Sequence, residues 1–183
     1  MPDSTANDAS LMQAVAQGDM GAFEQIVRRH QSAAWRVAWR FLGDADEAED
    51  MVQEAFLRIL DAAPRYRPTA TFRTYLYRVL TRLCMDHARK KRPALVETLP
   101  DIASDAPSQL EQYARKELEQ AVQRALDALP SKVRLAIVLR YFEGLSAREM
   151  ATALNTTPKG VERLLARARK QVEPLLRAYD PQK

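Results

Sequence analysis

Residues 145–170 read LSAREMATALNTTPKGVERLLARARK, two short helical runs hinged on Asn155-Thr156-Thr157. Ser146 followed three residues later by Glu149 is the capping-box signature of a helix start. Met150, Ala151 and Leu154 then recur with helical period, and small Ala151 permits close helix crossing. Thr157 is placed to cap the second run, with Pro158 at its first position, where a missing N–H costs nothing. Val161, Leu164, Leu165 and Ala168 form its inner stripe. Lys159, Glu162, Arg163, Ala166, Arg167 and Lys170 fall largely outside that stripe, with Arg169 at its edge. This is the form of a helix-turn-helix, whose second helix inserts its N-terminal half into the major groove. Arginines there bond guanine edges or neutralise phosphates. A merely solvated basic helix is the competing reading; form and charge together favour DNA.

Working outward, the whole chain has 183 residues, enough for one ordinary domain or two very small ones. Five glycines and an abundance of Ala, Leu, Arg, Glu and Gln predict helix throughout, so the ten prolines read as helix boundaries. Net charge is +4 but unevenly spread. Residues 1–93 carry 14 basic and 12 acidic side chains, residues 94–112 four acidic and none basic, and residues 113–183 14 basic and 8 acidic. Basic modules joined by an acidic connector make nucleic acid a candidate partner.

Periodicity divides the chain into four helices, a connector and four helices. The expected fold is all-α, two small helical domains joined by a flexible linker, the second containing the helix-turn-helix. The boundaries are a disordered tail over 1–9, a first domain over 10–93, a linker over 94–112, a second domain over 113–178 and a tail over 179–183. In the first domain Leu11, Met12, Val15 and Ala16 open the pattern. A longer helix follows with Phe23, Ile26, Val27, Ala34, Val37, Ala38 and Phe41 inward. The third helix, capped by Asp44 or Asp46, buries Ala48, Val52, Ala55, Phe56, Ile59 and Leu60. The fourth buries Phe72, Leu76, Val79, Leu80, Leu83 and His87 and ends in Arg89-Lys90-Lys91-Arg92 before Pro93. In the second domain Ser131 is expected to cap a helix with Val133, Ile137, Val138 and Tyr141 inward.

Two further features bear on partners. The loop APRYRPTAT, residues 63–71, sets Arg65, Tyr66 and Arg67 beside a helix carrying seven basic residues and one acid over 72–92. Such a pairing suits single-stranded nucleic acid, where bases stack on rings while arginines follow the backbone; core or edge tyrosines are the plainer reading. In DEAEDMVQEAFLRIL, residues 46–60, Asp50, Gln53, Glu54, Leu57 and Arg58 lie outside the apolar stripe. That face is either solvated or a docking surface for a partner helix.

The chemistry of catalysis is missing from the pattern. His30 and His87 share no metal-ligand spacing, and neither a phosphate-cradling glycine loop nor an elbow serine occurs. The expectation is therefore no catalytic residue, no metal, no cofactor and no small-molecule substrate. His30 is expected on a solvated surface. The single cysteine, Cys84, reads as a buried, inert thiol suited to a reducing cytoplasm. A polar N-terminus and the lack of any membrane-length apolar run predict a cytoplasmic protein without membrane insertion.

Taken in order and spacing, these features resemble the extracytoplasmic-function (ECF) group of bacterial RNA polymerase sigma factors, over nearly all of the chain. LMQAVAQGDMGAFEQIVRRH is similar to that group's opening helices, and DEAEDMVQEAFLRIL to the segment that docks on the clamp-helix coiled coil of core RNA polymerase. The resemblance places core polymerase contact on Asp50, Gln53, Glu54 and Arg58. TFRTYLYRVLTRLCMDHARKKRP is similar to the promoter-melting helix that reads the −10 element, and APRYRPTAT to the loop that captures a flipped-out base. It implies −10 DNA contacts at Arg65, Tyr66, Arg67, Thr71, Tyr75, Arg78, Arg82, Arg89 and Lys90. ALPSKVRLAIVLRYFEGLSAREMATALNTTPKGVERLLARARK is similar to the domain that reads the −35 element. That implies −35 contacts at Thr157, Lys159, Glu162, Arg163, Ala166, Arg167 and Lys170. Tyr75 stands where the group usually has tryptophan, Arg82 where asparagine is common, and Arg163-Leu164 where Ser-Arg is frequent. By the same resemblance the partners are core RNA polymerase, promoter DNA (duplex at −35, single-stranded at −10) and an anti-sigma factor. A stand-alone helix-turn-helix regulator shares the C-terminal pattern but not the docking helix. A protein-binding helical adaptor would leave both basic faces merely solvated.

Overall fold

The computed structural model describes residues 7–90 and 120–177, with side chains to residue 172 in the last helix. Residues 91–119, which take in Lys91, Arg92, Pro93 and the linker over 94–112, lie outside the described residues, as do residues 1–6 and 178–183.

The first domain is built from α1 (Asp8–Ala16), α2 (Met20–Leu42), α3 (Ala45–Ala62) and α4 (Phe72–Lys90), with a 3-10 turn at Ala63–Arg65. Each of the first three helices starts on a side-chain cap. Asn7 accepts from Ser10 N, Asp19 from Ala22 N and Asp44 from Glu47 N, satisfying amides that the first turn leaves without partners. Gly43 ends α2 at φ 75, a left-handed position that glycine takes without Cβ strain. Met12, Ile26, Val37, Ile59, Leu76 and Leu80 are wholly buried at the centre. The expected tail is shorter than 1–9, because α1 takes in Asp8 and Ala9. Asp8 also alters the place of His30. Their side chains meet at 2.8 Å, Arg29 reaches the same carboxylate, and the His30 ring packs 4.9 Å from that of Phe72. His30 is a half-buried pin between α1, α2 and α4, not a solvated surface residue. Cys84 is buried as expected, and burial pushes its thiol up to about 12.

The second domain holds α5 over 120–127, α6 (Ser131–Ile137) running into a π-helical turn (Val138–Phe142), α7 (Ala147–Ala153) and α8 (Pro158–Arg177). Its core is Val133, Leu135, Val138, Leu139, Met150 and Val161. Two expectations fail here. Pro130, extended at ψ 139, takes the cap position, so Ser131 is the first helical residue and its side chain caps nothing. Tyr141 points outward, 66% exposed. The π turn adds a residue to the helical repeat where Tyr141 stands, while Leu139, one turn after buried Leu135, lies inward.

The two domains pack on each other. Arg134 donates to Phe41 O at 2.6 Å and Gln123 to Arg40 O at 3.4 Å, so the second domain caps the C-terminal carbonyls of α2. Arg134 also holds Asp127 at 2.8 Å; burial pushes that carboxyl upward, and the adjacent guanidinium pulls it back.

Candidate functional site

The helix-turn-helix forms as its sequence dictates. Ser146 accepts from Glu149 N while the Glu149 carboxylate takes Ser146 N and Oγ, completing the capping box. After α7, Asn155 turns the chain at φ 47, a left-handed conformation that asparagine tolerates. Thr157 then accepts from Gly160 N at 3.1 Å and starts α8 on Pro158. Gly160 is required by closeness, because a Cβ there would collide with the Thr156 hydroxyl.

Val161 and Ala168 are buried, with Leu164 and Leu165 half-buried, so the stripe of α8 faces α6 and α7. Lys159, Glu162, Arg163, Ala166, Arg167 and Lys170 are all exposed, as is Thr157 at the cap. The expected −35 residues therefore share one outer surface.

The Glu149 carboxyl is held below its usual range, first by the Ser146 hydroxyl and then by the Ser146 backbone amide. A carboxyl that titrates lower in the folded state stabilises at pH above its ordinary 4.5 and loses that contribution as pH falls below it. Ser146→Ala is expected to cost about 1 kcal/mol at neutral pH, and less in acid. Denaturant midpoints at both pH values check this.

Helix α4 presents three faces. Phe72, Leu76, Leu80 and Leu83 enter the first-domain core. Arg78, Arg82, Arg89 and Lys90 are exposed on the outside, with Tyr75 half-buried at its edge. Tyr75 bridges to the loop, its ring 5.2 Å from Tyr66 and 6.3 Å from Phe72, and Arg78 lies over it at 5.8 Å. Burial, then Tyr75 and Asp8, push the Tyr66 hydroxyl upward, keeping it a neutral donor. Arg65 and Arg67 are exposed, and Arg67 donates to Tyr66 O. The structure thus joins loop and helix into one aromatic and arginine surface. Thr71 stands apart in role, since its hydroxyl meets Thr74 N at 3.3 Å and Thr74 Oγ at 2.9 Å at the start of α4.

The third face of α4, Cys84 apart, escaped the sequence reading. Thr74, Tyr77, Thr81 and Cys84 are buried, and Tyr77 and Thr81 bond to the second domain.

On α3, Asp50, Gln53 and Arg58 are exposed and Glu54 half-buried, with Arg58 bonded to Glu54 at 2.6 Å. Beside them runs a groove of about 680 Å³ between α2 and α3, walled by Phe23, Val27, Trp35, Val52, Phe56 and Leu57, with Gln53 at its rim. Leu57 is 56% exposed. Among the described residues no cluster of His, Cys, Asp or Glu is arranged to hold a metal, and no helix is long and apolar enough to cross a membrane.

The family model for Sigma-70 region 2 matches residues 26–94, and that for Sigma-70, region 4 matches residues 119–172. The ECF RNA polymerase sigma factor SigW of Bacillus subtilis is 33% identical over 89% of this chain and 93% of its own. The chain belongs to the ECF sigma factors. ECF sigma factor SigE of Mycolicibacterium smegmatis is 32% identical over 87% of this chain; the match spans 63% of that longer relative. A solved structure, CnrH in complex with the cytosolic domain of CnrY, is 29% identical, with a TM-score of 0.73 over 94% of this chain and 99% of that one. As an ECF sigma factor the chain is a transcription initiation factor; the first matched region begins inside α2 of the first domain, and the second falls on the second domain.

Proposed function

We propose that the exposed faces divide sigma function among named residues. Asp50, Gln53, Glu54 and Arg58, with the adjoining groove and exposed Leu57, dock on core RNA polymerase. Arg65, Tyr66, Arg67, Tyr75, Arg78, Arg82, Arg89 and Lys90 hold single-stranded −10 DNA; Thr71 contributes chiefly by starting α4. Thr157, Lys159, Glu162, Arg163, Ala166, Arg167 and Lys170 read the −35 duplex. The observation that carries this is the presence, in one chain, of two separate outward basic surfaces: one flat and helical for a groove, one mixed with tyrosines for unstacked bases.

The division of labour follows from chemistry. Arginine pairs bidentately with guanine edges in a duplex, whereas tyrosine faces accept any base once it leaves the stack. Glu162, exposed beside Arg163, can accept from a cytosine amino group. Initiation needs no reaction at the sigma factor itself, and the polymerase supplies the chemistry. An anti-sigma factor is the expected regulator; the similar chain CnrH is solved in complex with the cytosolic domain of CnrY. Transcription initiation of this kind places the protein in the cytoplasm.

In vitro transcription with core polymerase on a promoter library tests the reading. Transcripts that start downstream of one recurring −35/−10 pair, only when both proteins are present, support it. Tight duplex binding by the chain alone at a palindromic site would favour a free-standing regulator instead.

A further inference from the structure

The carboxylate of Glu143 is only 6% exposed, although it lies in the turn after α6. Its partners come from the other domain. Tyr77 donates its hydroxyl to Glu143 Oε2 at 2.5 Å, and the Arg73 guanidinium lies 4.0 Å from the same oxygen and donates to the Glu143 carbonyl. One turn along α4, Thr81 donates to Ala153 O at 2.7 Å, a buried bond that caps the first helix of the helix-turn-helix. At the far side of the contact Arg134 and Gln123 hold the last carbonyls of α2, and Arg40 lies over the Phe142 ring at 4.3 Å. A buried carboxylate whose partners all sit across a domain boundary is a fastening, because separation leaves it either to solvate or to stand unpaired.

This closure conflicts with use of both DNA surfaces at once. Elements named −35 and −10 lie about 25 bp apart, roughly 85 Å along B-DNA. Here the helix-turn-helix touches the melting helix through Thr81 and Ala153. The −10 face of α4 is exposed in the closed chain; what closure forbids is the separation of the two readers.

We propose that the chain latches itself shut without a partner, through Glu143 on Tyr77 and Arg73 and through Arg134 on the end of α2, and that the latch must release before polymerase and promoter are engaged. The latch is a property of the chain alone; its role as a gate rests on the sigma reading above.

The test uses the full chain with nitroxide labels on Arg28→Cys and Gln171→Cys, both at exposed positions. Buried Cys84 does not compete for the label. Double electron–electron resonance on the otherwise unaltered chain is expected to give one narrow, short distance distribution. Glu143→Arg, which sets a cation against Arg73, is expected to broaden it toward long distances with helix content unchanged by circular dichroism. Tyr77→Phe, which removes one latch bond and keeps the ring, is expected to shift a smaller fraction. If the open form is about 1–10% of the free chain, opening it raises apparent affinity for core polymerase by roughly 10- to 100-fold. A broad distribution in the parent chain, or a short one retained in both variants, would overturn the latch. Variants that open without binding core polymerase faster or tighter would overturn its role as a gate. Opening with no core binding by any form, parent included, would uphold the latch and refute the sigma reading instead.

Discussion

Reversing two charges on α3, Asp50→Arg with Glu54→Arg, is expected to abolish capture of core RNA polymerase while leaving helix content intact. Both residues lie on the outer face of α3, and the one described ionic contact between them and the fold is the Glu54–Arg58 pair. Exposed pairs one helical turn apart are worth about 0–1 kcal/mol, so the fold survives their loss. The partner surface is a different matter. An acidic face selects a basic one, and setting like charges together at an interface costs several kcal/mol. Each ~1.4 kcal/mol is tenfold in affinity, so the double reversal moves binding beyond a pull-down's range. Unchanged recovery of core polymerase would remove α3 from the interface and leave its polar face merely solvated.

The second large effect is expected on α8. Arg163→Ala and Arg167→Ala each truncate an exposed side chain outside the Val161–Ala168 stripe, so neither should lower stability appreciably. If each reads a base, each costs about 1–3 kcal/mol and relaxes the preference at one −35 position. Being one turn apart, the two side chains are close enough to couple, so the double variant reads their interaction as well as the two single losses. A phosphate contact behaves otherwise: the loss is uniform across sequences and the salt dependence falls by about one ion. Holoenzyme transcription from promoters randomised at −35, at two salt concentrations, separates these cases residue by residue. No effect of the double variant at any −35 sequence would leave α8 as a solvated basic helix.

Much of this was legible because the signals are local. The Ser146–Glu149 box, the Thr157-Pro158 start and the spacing of Val161, Leu164, Leu165 and Ala168 sit within a few residues of the atoms they control. The same holds for the inner stripe of α3 and the outer arginines of α4. What periodicity missed is burial imposed from far along the chain. Tyr77 and Thr81 are covered by residues 66 and 72 positions away, and no helical period encodes that partner. A signal was present in principle: Thr74, Tyr77, Thr81 and Cys84 form an uncharged row on a helix otherwise rich in arginine. The π turn at Val138–Phe142 misled differently, by changing the period itself, which sent Tyr141 outward. His30 was misread because its partner Asp8 fell inside the presumed tail.

The division of labour between the two basic surfaces shows most directly in strand opening. Permanganate footprinting of thymines in the −10 region measures it, with the chain alone, core polymerase alone and the two together. Reactivity confined to the complete holoenzyme, lost when Tyr66 and Tyr75 become alanine, is the predicted result. Reactive thymines with core polymerase alone, or an undiminished signal in the tyrosine variant, would contradict it.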